Sequence, residues 1–117
     1  MHFGDFKGSG AARGIFRKMG LLEYLEAANS WRDLRTLIVD FNDADEGNFV
    51  KLARECDGVA SSGERVLLHA VCYVCDFAWL ADELATDSKG KGRAWQNMHR
   101  VSGDHRRAVA ACVGAEV

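Results

Sequence analysis

Apolar side chains recur along this chain at three- and four-residue intervals, the spacing that lines one face of an α-helix. Leu34, Leu37, Ile38 and Phe41 form one such run. Ser30 stands before it with Asp33 three residues later, close to a capping box. Phe49, Leu52, Ala53 and Cys56 form the next run. That helix is expected to start at Asp43, with Glu46 in the matching position, and to end at Asp57-Gly58. An earlier helix is expected from Ile15 to Ala28, with a kink at Gly20. No segment alternates with the period of two that marks a half-buried strand.

The strongest pattern lies past Ser61-Ser62-Gly63-Glu64, again a Ser-x-x-Glu opening. It predicts a helix over about 62–85. Leu68, Cys72, Cys75 and Trp79 fall at i, i+4, i+7 and i+11 on one face, flanked by Leu67, Val71, Val74 and Ala78. A helix apolar over most of its circumference belongs at the centre of its fold. Thr86 to Gly92 reads as a polar loop. Ala94, Trp95, Met98, Val101, Ala108, Val109 and Cys112 give a last helix, about Arg93 to Val113, its apolar side, and Gly103-Asp104 offers a break in it. Gly4, Gly8, Gly10 and Gly14 predict a flexible arm over residues 1–14. The fold class is therefore all-α: one domain over 15–117, a compact bundle of four or five helices around the central apolar one.

Composition narrows the classes. The chain has 117 residues, 48% of them hydrophobic and 27% charged, which suits one folded domain and argues against disorder. Proline is absent, so no helix loses a backbone donor to it. The most apolar stretch, Val66 to Ala81, spans 16 residues and contains His69 and Asp76. A bilayer span needs about 20 mostly apolar residues, so this stretch reads as a core helix. The first residues lack the apolar core of a secretory signal, which points to the cytoplasm. The four cysteines are then expected to be reduced thiols.

Charge is unevenly spread behind the net value of −2. Lys7, Arg13, Arg17 and Lys18 outweigh Asp5 at the start. Residues 20–88 hold 14 acids and five bases. From residue 89 onward, six bases face Asp104 and Glu116. Basic ends around an acidic middle bear on partners and association rather than on fold.

Several constellations invite chemistry. His69-x-x-Cys72-x-x-Cys75 has short zinc-type spacing, but the two cysteines lie in the apolar stripe and no second pair completes a tetrahedron. His69, Tyr73 and Asp76 share the other side of the same helix. His69 and Asp76 stand about 10.5 Å apart along the axis, so only Tyr73 could bridge them. A buried polar site and two separately satisfied side chains are both open there. Asp40 to Gly47 resembles a calcium loop, yet with Gly47 at the glycine position Ala44 and Ala53 occupy ligand positions. It reads instead as a turn in which Asp43 caps a helix and Glu46 complements its dipole. Gly8 to Gly14 lacks the Gly-Lys-Ser/Thr ending of a phosphate loop. Ser102 to His105 holds triad residue types in an order that cannot form a triad in space. No catalytic residue, metal or cofactor is assigned, and the chain is expected not to be an enzyme.

Two interaction readings follow. In the first, Asp40, Asp43, Asp45, Glu46, Asp82 and Glu83 form an acidic face that engages a protein partner with a basic surface. In the alternative, Lys89, Lys91, Arg93, Arg100, Arg106 and Arg107 meet the phosphates of a nucleic acid. In size, composition and helical organisation the chain resembles small phage and mobile-element proteins, including anti-CRISPR proteins. No residue motif carries that resemblance, so it transfers no functional residue. It implies an inhibitor that occupies the surface of a host nucleoprotein complex.

Overall fold

The computed structural model describes residues 2–44, 46–87, 101 and 103–115. Among them are eight α-helices and no strand. They are α1 (Phe3–Gly8), α2 (Gly10–Lys18), α3 (Leu22–Ala27), α4 (Trp31–Ala44), α5 (Asn48–Val59), α6 (Ser62–Val74), α7 (Ala78–Asp87) and α8 (Gly103–Val113). The expected all-helical bundle is present. Its helices are shorter and more numerous than the apolar periodicity suggested, because turns break runs whose hydrophobic pattern continues.

α6 occupies the centre. Every residue from Val66 to Cys72 is buried, as the all-round apolar pattern requires. α7 and α8 make its most extensive contacts, and α2 and α5 also pack on it. Its start is the capping box read from the sequence: Ser61 Oγ accepts from the Glu64 N–H at 3.4 Å, and Glu64 Oε1 accepts from the Ser61 N–H at 2.9 Å. Lys18 Nζ adds a bond to the same Oε1 at 2.8 Å. The Lys18 bond first, and then the backbone bond from Ser61, hold the Glu64 carboxyl down at about 2. Glu64→Gln is therefore expected to cost roughly 1 kcal/mol at neutral pH. Because the folded value is depressed, the difference from wild type should shrink as pH falls from about 4.5 towards 2 and vanish below it. Urea unfolding across that range checks it.

Three expected features differ in the structure. The glycine-rich residues 1–14 were expected to form a flexible arm, but they carry α1 and the start of α2. Phe6 is fully buried, with its ring centroid 4.7 Å from that of Trp31. Lys7 Nζ donates to the Ala28 carbonyl at 2.8 Å, and Ser9 Oγ caps α2 by accepting from the Ala12 N–H. Glycine spacing misled because Gly8 and Gly10 frame this cap, and one buried aromatic outweighs their conformational freedom.

The second correction concerns the long helix over 62–85, which breaks after Val74. Asp76 takes a left-handed φ of 74°. The Asp76 N–H reaches the Tyr73 carbonyl, and the Phe77 N–H reaches that of Cys72 at 2.8 Å. These are the two bonds of a Schellman ending. Gly20 closes α2 in the same way, with its own φ of 75° and a Leu21 N–H bond to the Phe16 carbonyl. A glycine there was a legible signal; an aspartate at the equivalent position was not, since a β-carbon there costs roughly 1 kcal/mol.

The α4–α5 turn also differs from expectation. Asp43 does not start a helix but lies in the last turn of α4, and α5 begins at Asn48 behind Gly47. Asn42 Oδ1 caps it from the preceding helix by accepting from the Val50 N–H at 3.1 Å. Ser30 does cap α4, accepting from the Asp33 N–H at 3.1 Å.

Candidate functional site

The break at Asp76 sets what α7 presents to solvent. Had α6 continued, Trp79 would have joined Leu68, Cys72 and Cys75 on the buried stripe. With the axis redirected, Phe77, Leu80, Ala81 and Leu84 take the buried positions. Trp79 turns outward and is 54% exposed. Leaving an indole this open forgoes most of its burial energy, so it is an informative departure from ordinary packing.

Arg54 on α5 holds the indole in place. Its guanidinium carbon lies 6.0 Å from the Trp79 ring centroid. Its Nε and Nη2 donate to the two carboxylate oxygens of Glu83 at 2.9 and 3.0 Å. That forked bond lowers the carboxyl pKa of Glu83. Carboxylate, guanidinium and indole thus form a stack across α5 and α7. Beside it runs an open groove of about 620 Å³, lined among others by Glu46, Val50, Lys51, Glu55 and Trp79. Asp43 is exposed in the last turn of α4, and Asp82 is half-buried on α7.

The sequence-predicted acids do not form one face. Glu46 lines the Trp79 groove, and Glu83 is bonded to Arg54, which also lines it. Asp40 lines a separate pocket of about 380 Å³ with Arg32, Arg35 and Asp76, where Arg35 pairs with Asp76 at 3.2 Å. Asp45 lies outside the described residues, as do Lys89, Lys91, Arg93 and Arg100. Arg106 and Arg107 are exposed on α8, and Arg107 is held by Asp104 at 2.8 Å.

A second arrangement lies inside the core. His69 on α6 does not join Tyr73 and Asp76. It turns to α5, where its Nε2 lies 2.8 Å from Asp57 Oδ1. His69 is 2% and Asp57 8% exposed. His69 Nδ1 is buried and has no hydrogen-bond partner among the described residues. The Asp57 carbonyl accepts from Arg65 Nε at 2.8 Å, so this corner ties the end of α5 to α6 twice. Sequence reasoning missed the pair because Asp57 read as a helix-stop residue and its partner lies one helix away. The available signal was an ionisable residue in the last turn of one helix and another about two turns into the next.

All four cysteines are buried and free. Burial pushes the thiols of Cys72 and Cys112 well up and that of Cys75 to about 12; Cys56 is also raised. Thiols so placed pack as small apolar groups. Among the described residues no three His, Cys, Asp or Glu side chains are grouped to hold a metal ion. Ellman's reagent at pH 8 should therefore find none of the four thiols in native protein within minutes, and all four after denaturation.

No helix among the described residues is long and apolar enough to cross a membrane. No protein-family model, curated protein or solved structure matches the chain. The fold and surface together describe an all-helical globule bearing an open groove lined by Trp79 and by side chains of both charge signs.

Proposed function

We propose that this chain is a small protein-binding module that engages a basic surface of a partner protein through Asp43, Glu46, Asp82 and Glu83, with Asp45 between them in sequence. One observation carries the proposal: Trp79, 54% exposed, stands over a groove whose lining includes Glu46, Glu55, Lys51 and Arg54, with Arg54 already forked onto Glu83. Interface hot spots are enriched in tryptophan and arginine, and Trp79 and Arg54 are adjacent on this surface.

The placement of charge in α4 supports the same reading. Asp43 lies in the last turn of this helix, which has no basic residue. A carboxylate there opposes the helix dipole at a few tenths of a kcal/mol, so the helix dipole does not account for it. Charge complementarity to a partner does, and it also speeds encounter.

The phage-type, anti-CRISPR-like role implied by the resemblance is the same binding act with a host nucleoprotein complex as the partner, its nucleic-acid groove supplying the basic surface. The test is affinity capture from bacterial lysate with and without nuclease, using wild type and the Asp43→Lys/Glu46→Lys variant. A stoichiometric protein that survives nuclease and is lost by the variant supports the reading. Equal capture by the variant overturns it. Capture that disappears with nuclease favours the alternative, nucleic-acid binding by the basic C-terminal segment.

A further inference from the structure

We propose that the Trp79 groove takes an arginine side chain of the partner, stacked on the indole and forked onto Glu46 or Glu55. This deepens the partner-binding reading and rests on it. The groove already contains a working copy of the geometry. Arg54 lies against the Trp79 ring while its guanidinium forks onto Glu83. One guanidinium beside an indole and a carboxylate is therefore accommodated on this surface without burial of unpaired charge.

A second set of groups for the same interaction remains open. Trp79 is more than half exposed even with Arg54 beside it. Glu46 and Glu55 line the groove and form no ion pair among the described residues. Of the groove's two basic side chains, Arg54 is paired with Glu83, which leaves Lys51 to oppose Glu46 and Glu55. The local balance is acidic, so the groove favours a cation.

Arginine fits better than lysine. A guanidinium is planar, stacks on an aromatic face and presents two parallel donors to a carboxylate, whereas an ammonium is a strongly hydrated point charge. The indole is also held in advance: Arg54 and Glu83 fix its surroundings across two helices, which reduces the ordering cost of binding.

The probes are two alanine-based dodecapeptides, one with four arginines and one with four lysines at the same positions. Each is titrated at 150 mM salt into ¹⁵N-labelled full-length protein, following the Trp79 indole N–H. The arginine peptide is expected to shift that resonance and to bind several-fold more tightly than the lysine peptide. Trp79→Ala should weaken the arginine peptide about tenfold. Trp79→Phe, which keeps a ring, should lose less. Circular dichroism checks that both variants stay folded, as expected for an exposed position. Equal affinity for the two peptides, unchanged affinity in Trp79→Ala, or no binding of the arginine peptide overturns the inference. In those cases lysate capture that still depends on Asp43 and Glu46 leaves the partner-binding reading standing; capture that ignores them removes both.

Discussion

Phe6→Ala is expected to lower the unfolding free energy by about 3–5 kcal/mol, an effect out of proportion to its place near the start of the chain. Phe6 is fully buried, and its ring meets those of Trp31 and Phe3 at centroid distances of 4.7 and 6.3 Å. Removing it deletes a large apolar side chain and leaves a cavity between α1 and α4, lined by rings too stiff to collapse into it. Trp31 should respond as well, since it loses a neighbouring ring, so its fluorescence offers a second readout. Urea unfolding gives the free energy. A loss below about 1 kcal/mol would mean that α1 is not part of the cooperative core and that the glycine-rich segment behaves as an arm after all.

The second large effect belongs to the pair inside the core. His69→Ala should cost about 3 kcal/mol, because it strips Asp57 of its imidazole partner at a site only 8% exposed. Asp57→Ala should cost a similar amount by depriving His69 Nε2 of its carboxylate beside an already unpartnered Nδ1. The double variant should be less damaged than the two single losses added together, by roughly 2 kcal/mol, since a buried pair is harmed most when one member survives. Additive losses would show that the 2.8 Å contact contributes nothing specific. The bond joins the last turn of α5 to the middle of α6, so it fixes how α5 lies on the central helix. The Trp79 groove is built on α5 and α7, both of which pack on α6, which makes the pair a support of the surface as well as of the core.

The central helix was legible because nothing competes with its pattern. An unbroken apolar segment with a Ser-x-x-Glu entry has one economical placement, and α6 occupies it. Its end was not legible. The apolar periodicity runs through Asp76 into Trp79, and only a left-handed aspartate divides them. Residue-pattern reasoning has no strong signal for that conformation when glycine is absent. The consequence reaches the candidate site, since this break turns Trp79 from core to surface. The placement of the acidic residues was less legible for a related reason. Charge along the sequence located Asp43, Glu46 and Glu83, but whether they share a surface depends on how α4, α5 and α7 are set around α6. That setting sends Asp40 to the Arg32 and Arg35 pocket and brings Glu55, not singled out from the sequence, to the Trp79 groove.

The measurement that most directly tests partner binding at this groove is site-specific photo-crosslinking in cells. The photoreactive residue benzoylphenylalanine replaces Lys51, which is exposed and lines the groove, or Arg106, which is exposed on α8. Partner binding at the groove predicts a discrete, nuclease-resistant protein adduct from position 51 and none from position 106. An adduct formed at position 106 alone, or crosslinks to nucleic acid from that position, would contradict it.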